Sequence, residues 1–222
     1  MNDRSLFERG EAPAGRSAPR MIVRYRDGTR LNHWFVAILF FCAGLTGLVV
    51  FHPVFWPLSS LFGGGVWTRI LHPFFGLLMV LGFAVLFFQV WKENRWNADD
   101  RAWVRNAGRL LRGDEEGMPP VGKYNAGQKG VFWVATVSLL VLLVTGFLFW
   151  EPWFAPAWPI LVRRVGVVLH ALAATVLILA IIVHIYAAIW VKGSIPAMTR
   201  GTVSEGWARF HHPLWWRQMR DR

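Results

Sequence analysis

The chain of 222 residues has one cysteine, Cys42, and only 13 acidic residues against 24 Lys and Arg. A single cysteine permits no internal disulfide and no iron–sulfur cluster held by this chain alone, so any redox chemistry requires another cofactor. The shortage of acid leaves a formal net charge of +11. The cations form no single basic face. They fall in three polar segments between apolar runs, which argues against nucleic acid as a partner and for a membrane protein with cationic loops. The first 30 residues lack the apolar core of a signal peptide, so no cleavage is expected. Residues 1–20, rich in Arg, Pro, Ala and Gly, read as a disordered arm ahead of a membrane domain over residues 21–222.

Charge is also missing from four long stretches: 31–51, 70–91, 131–150 and 165–191. Each is dense in Leu, Val, Ile and Phe. With 55% hydrophobic residues, 14 Trp and 17 Phe, the chain is more apolar than a soluble domain of its size. About 20 helical residues cross a bilayer, and in lipid the backbone must satisfy its own hydrogen bonds, so all four stretches are expected as helices. The expected fold is an all-α, integral membrane, four-helix transmembrane bundle, with no internal sequence repeat and no separate soluble domain.

The basic residues orient it. The segment through Arg30, the loop Lys92 to Lys129 and the tail from Lys192 hold 21 of them, and the two remaining connections hold 3. Both termini and the central loop are therefore expected on the cytoplasmic side. The two outer loops carry Pro53, Trp56, Pro57, Trp153, Pro156 and Trp158, which suits an interface.

Histidine is costly inside a bilayer, so intramembrane histidines are functional candidates. His33, His72, His170 and His184 fall within the spans. The alternating helix directions place His33 and His184 near the cytoplasmic face, and His72 and His170 near the outer face. A separation of 14 residues returns His170 and His184 to within about 40° of one face, about 21 Å apart along the axis. Two haems stacked across one bundle, each between two histidines, need both properties. The residues at i+4, Ala37, Gly76, Ala174 and Ala188, are all small and leave flat space beside each imidazole; Gly166 and Ala180 are expected to add clearance. Small residues also line ordinary membrane helix contacts, and a lone intramembrane histidine can simply bond a neighbouring helix. Zinc would use clustered N and S ligands, usually four. His52 is a second candidate for the outer site, and His211 and His212 sit in a polar tail that reads as surface or partner contact.

Before the third span runs Gly122-Lys-Tyr-Asn-Ala-Gly-Gln-Lys129. Asn125 and Gln128 offer amide donors and Gly127 permits close approach to the backbone, but these residues equally fit a helix N-terminus capped by Asn125. The residues alone favour the cap.

Together, Arg69-Ile-Leu-His-Pro-Phe-Phe-Gly, Lys123-Tyr-Asn-Ala-Gly-Gln-Lys, the His170/His184 helix ending Trp190-Val-Lys-Gly-Ser, and His211-His-Pro resemble the gamma subunit, the cytochrome b subunit, of respiratory membrane-bound formate dehydrogenases. The resemblance runs from about Met21 to Trp216. It implies two haem b groups, the outer ligated by His72 and His170 and the inner by His33 and His184. It implies a quinone, menaquinone or ubiquinone, reduced beside the inner haem at Asn125, Gly127 and Gln128 with His184 nearby. It further implies an iron–sulfur beta subunit that delivers electrons, and an alpha subunit with molybdenum or tungsten that oxidises formate, in a bacterial inner membrane. On this resemblance the loop becomes a quinone site. The cytochrome b subunit of a nickel–iron hydrogenase or thiosulfate reductase would keep the haems and change the partner; a haem-free anchor or small transporter is the reading of another class.

The charge asymmetry predicts that a reporter fused at the C-terminus is cytoplasmic and one inserted beside Ala157 is periplasmic. Alkaline phosphatase activity from the C-terminal fusion would invert the topology.

Overall fold

A computed structural model describes residues 19–112 and 118–221. Most of the expected N-terminal arm, residues 1–18, lies outside the described residues. In chain order the elements are strand β1 (Met21–Val23), α1 (Asp27–Phe51), a 3₁₀ segment Pro53–Phe62, α2 (Gly65–Val90), α3 (Ala98–Leu111), α4 (Ala126–Phe149), a 3₁₀ turn Ala155–Ala157, α5 (Ile160–Trp190), α6 (Ser194–Arg200), strand β2 (Thr202–Ser204), α7 (Glu205–His211) and α8 (Pro213–Arg220). The fold is all-α apart from one three-residue ribbon.

Helices α1, α2, α4 and α5 are long and apolar enough to cross a membrane. Each begins several residues before its charge-free run, because the first turns tolerate polar and charged residues that a hydropathy criterion excludes. Asp27 lies in the first turn of α1, where a carboxylate suits the helix dipole, and it pairs with Arg30 at 2.9 Å. His33 and His72 consequently sit beyond the first turn of their helices rather than at the start.

The chain divides into two compact units. The bundle unit comprises Leu31–Gln89 and Trp133–Ile182, the greater part of the four apolar helices. Its core joins Leu39 and Ala43 of α1, Met79 of α2, Ala135 and Leu139 of α4, and Leu177 of α5. Outside that seam the surface is apolar: no apolar stretch has more than 22% of its residues buried within the protein. Leu31, Val66, Phe88 and Leu161 all stand exposed, which is the surface lipid would cover.

Small residues set the helix approaches. A Cβ on Gly82 of α2 would lie 2.8 Å from Val36 of α1, and the Asn32 side-chain amide donates to the Gly82 carbonyl at 2.9 Å. Gly166 behaves likewise, against expectation. It is buried, and a Cβ there would lie 3.2 Å from Leu148, so it brings α5 close to α4 instead of clearing space beside His170.

The terminal unit gathers the described residues up to Arg30, between Val90 and Phe132, and from Val183 onward. Segments that hydropathy renders as loops and tail fold here around Ala197, Val203, Trp207, Ala208 and Trp215. Strands β1 and β2 pair antiparallel, Met21 opposite Ser204 and Val23 opposite Thr202. Arg20, the last residue of the expected arm, is already tied down, its carbonyl accepting from Glu205 N–H at 2.9 Å. Asn97 and Asp100 cap the start of α3 reciprocally at 2.7 and 3.0 Å. Asp100 also takes the Lys129 ammonium at 2.7 Å, both groups being buried, and Lys129 donates further to the Arg95 carbonyl at 3.1 Å. Those extra hydrogen bonds are what make a buried ion pair tolerable.

The polar-tail reading fails at His212. It is 3% exposed and sits at the junction of α7 and α8, against Trp207 and Trp215. Residue polarity hid this, because the tail's tryptophans supply a core that its many charges obscure.

Candidate functional site

In the bundle unit His72 of α2 and His170 of α5 come together, ring centroids 6.3 Å apart and ring planes at 67°. Each ring is held by a threonine on the preceding helix of its hairpin. The Thr46 hydroxyl lies 2.7 Å from the Cys42 carbonyl and 3.0 Å from His72 Nδ1. The Thr145 hydroxyl lies 2.6 Å from the Val141 carbonyl and 2.9 Å from His170 Nδ1. A hydroxyl has one proton; donated back along its own helix, it leaves an oxygen lone pair for the imidazole. Nδ1 of each histidine therefore carries the ring proton and donates it to threonine. Nε2 is left as a lone pair, the form a metal binds, and orientation through the second nitrogen is the usual outer-shell arrangement.

The glycine after each threonine faces the same ring, and only at Gly47 would a Cβ be crowded. A Cβ on Gly47 would stand 3.1 Å from His72 Cε1, and one on Gly146 would stand 3.5 Å from His170 Cε1. The face of Phe149 or its edge packs at right angles to His170, centroids 5.2 Å apart. Gly76, one turn beyond His72, has open space where a side chain would project.

This duplicated Thr-Gly device was not anticipated. The signal was present in the sequence: Thr46-Gly47 precedes His72 by 26 residues, and Thr145-Gly146 precedes His170 by 25, counted from each threonine. His52, the alternative outer candidate, is used elsewhere. It caps the 3₁₀ segment, its Nδ1 accepting from Val54 N–H at 3.2 Å.

His33 of α1 is half-buried in the bundle unit, edge-on to Trp34. His184 falls in the terminal unit, on a surface of α5 that is exposed in the isolated chain. The loop before α4 forms the cap that its residues favoured. Asn125 Oδ1 accepts from Gln128 N–H at 2.9 Å, and Gln128 Oε1 accepts from Asn125 N–H at 3.0 Å, a reciprocal capping box. The box engages both side-chain oxygens; the two NH₂ groups are what these residues can offer a ligand. The close approach that Gly127 allows is taken by Trp103 of α3, whose ring would lie 3.3 Å from a Cβ there.

A bundle of apolar helices with two oriented imidazoles facing one another is the architecture of a multi-pass membrane protein that carries a metal cofactor between helices. Residues 24–201 match the family described as prokaryotic cytochrome b561. The formate dehydrogenase cytochrome b556(fdo) subunit of Escherichia coli strain K12 is 46% identical over 199 residues, covering 90% of this chain and 93% of that protein. The nitrate-inducible formate dehydrogenase cytochrome b556(Fdn) subunit of the same strain is 42% identical over 203 residues, covering 91% and 94%. The formate dehydrogenase cytochrome b556 subunit of Haemophilus influenzae is 39% identical over 197 residues, covering 89% and 83%. The chain belongs to the prokaryotic cytochrome b561 family, among the cytochrome b subunits of formate dehydrogenases.

That family implies haem b, and the bundle geometry fits it. A metal ion held between two imidazoles by bonds of about 2 Å each would set their ring centroids roughly 6 Å apart. His72 and His170 already stand at that separation. Thr46→Val and Thr145→Val remove the acceptor that orients each ring, and such outer-shell changes weaken metal binding by about 10- to 100-fold. Haem titration of the purified variants is expected to show that loss, with Thr→Ser retaining wild-type affinity; valine variants that hold haem as firmly as wild type would remove the threonines from the site.

Proposed function

We propose that the chain is the quinone-reducing, di-haem b subunit of a formate:quinone oxidoreductase in a bacterial inner membrane, both termini cytoplasmic. His72 and His170 hold the outer haem, and His33 and His184 the inner. The observation that supports this reading is the matched pair Thr46–His72 and Thr145–His170, with the two imidazoles 6.3 Å apart between centroids. The inner pair rests on depth in the sequence and on the family resemblance. Haem b, when bound, supplies one-electron transfer between helices; the protein supplies spacing, orientation and electrostatics.

Formate oxidation itself belongs to an alpha subunit with molybdenum or tungsten, and an iron–sulfur beta subunit feeds this chain. A quinone, ubiquinone or menaquinone, takes up two electrons and two cytoplasmic protons at the loop of Asn125, Gly127 and Gln128, beside His184. Electrons move inward while protons are consumed on the cytoplasmic side, so charge is separated without a pump. The amide NH₂ groups of Asn125 and Gln128 suit a quinone carbonyl because they donate without burying a charge. His184, bound to metal through one nitrogen, keeps the other for a hydrogen bond to quinone or water.

Losing one donor to a developing quinol oxyanion costs on the order of 2–4 kcal/mol, about 30- to 1000-fold in rate. Asn125→Ala removes the cap as well as the donor, so Asn125→Ser, which keeps a capping oxygen, is the sharper variant. In stopped flow with formate, both variants are expected to reduce their haems normally and then hold them reduced. A serine variant that reoxidises on quinone at the wild-type rate would leave Asn125 a cap only.

A further inference from the structure

Three consecutive carbonyls lead into the Asn125 loop, and each is occupied by a donor from elsewhere in the terminal unit. Leu214 N–H, in the first turn of α8, donates to the Val121 carbonyl at 3.1 Å. His212 Nδ1 lies 2.7 Å from the Gly122 carbonyl. Arg24 Nη2 donates to the Lys123 carbonyl at 2.6 Å and also reaches His212 Nε2 at 3.2 Å. A guanidinium has only donors, so Nε2 must accept, and the ring proton must sit on Nδ1, pointing at Gly122. Arg24 thus fixes the tautomer of the histidine beside it.

We propose that Arg24 and His212 are positioning residues for quinone reduction, holding the backbone of residues 121–123 so that the Asn125 and Gln128 amides stand in place for the substrate. The inference rests on the assignment of that loop to quinone.

Burial supports it. Arg24 is 5% exposed and His212 3%. The Arg24 charge lies over the rings of Trp207 and Trp215, at 5.1 and 5.0 Å, a compensation for its lost hydration. Burial first, and then the Arg24 charge, hold the His212 imidazole well below its ordinary pKa. It stays neutral, as the clamp requires, and only the hydrogen bond to Gly122 pulls the other way. The far side of the loop is fixed independently by the Asn125–Gln128 box and by Lys129 on Asp100. The loop is therefore gripped at both ends, and its upstream grip comes from Arg24 and His212, which stand 188 residues apart in the sequence. A helix cap alone would not need this: the box closes within four residues, without any contact to Arg24 or His212.

The test uses the assembled complex. His212→Leu strands the Gly122 carbonyl and removes one of the two acceptors of Arg24 Nη2, leaving the Lys123 carbonyl. His212→Asn keeps an N–H where Nδ1 stood. In the leucine variant the amides of residues 122–128 are expected to exchange with deuterium about tenfold faster, and the quinone KM to rise about tenfold, the size of one lost hydrogen bond. Haem content and formate-driven haem reduction stay unchanged, and asparagine restores both readouts. If leucine does not assemble, the comparison runs between His212→Gln, which reaches Arg24 but not Gly122, and His212→Asn; glutamine should then show the fast exchange and the raised KM. Wild-type exchange in the disrupting variant, or equal behaviour of the glutamine and asparagine variants, overturns the clamp. Fast exchange with an unchanged quinone KM overturns the positioning role. In that case Asn125→Ser separates the two failures: slow quinone reduction in it leaves the quinone site standing without the clamp, and wild-type quinone reduction removes the site as well.

Discussion

A histidine buried among apolar helices must have its ring N–H satisfied and its ring orientation fixed, and in this protein one threonine hydroxyl does both for each ring. Thr46 and Thr145 donate back to their own helices and accept from His72 and His170. The hydroxyl gives the ring N–H a fixed partner where no water is available, beside the Ala43 and Leu142 carbonyls that the His72 and His170 rings also reach. Gly47 follows from the same constraint: a side chain there would crowd the His72 ring, whereas at Gly146 a Cβ would only reach ordinary contact with His170. The hairpins α1–α2 and α4–α5 therefore solve one problem twice with one dipeptide, and bring the two histidines to a separation that suits a metal.

The terminal unit solves a different problem. Its segments leave and re-enter the membrane helices, and each alone is too short and too charged to fold. Trp207 and Trp215 give them a common core. Arg24 and His212 then pin the strand leading into α4, while Lys129 and Asp100 pin its first turn. The loop of Asn125 is thus braced on both sides. Bracing of that kind fits a site where a substrate must meet fixed donors.

Much of this was legible in the sequence. The four charge-free runs specify helices because each is long enough to cross a bilayer as a helix that pairs its own backbone. Depth alone brought His72 to His170, since helix direction alternates along the chain. Asn125 followed three residues on by Gln128 reads as a cap and forms one. What escaped were contacts that no periodicity encodes. Thr46 and Thr145 look like ordinary polar residues on an apolar helix, because a threonine can bond its own helix and need no partner. Gly166 looked like clearance beside a ligand and proved to be a helix contact, since small residues serve both purposes. His212 looked like surface because the tail carries many charges, whereas its ring packs on Trp207 and Trp215 of the same tail.

The central claim is that four histidines hold two haems. Its most direct measurement is the haem-to-polypeptide ratio of this subunit, taken as the pyridine haemochrome of the purified complex against quantitative amino-acid analysis. The account predicts two protohaems per chain, both low-spin as expected for paired imidazole ligands. A ratio of one or of none would contradict it.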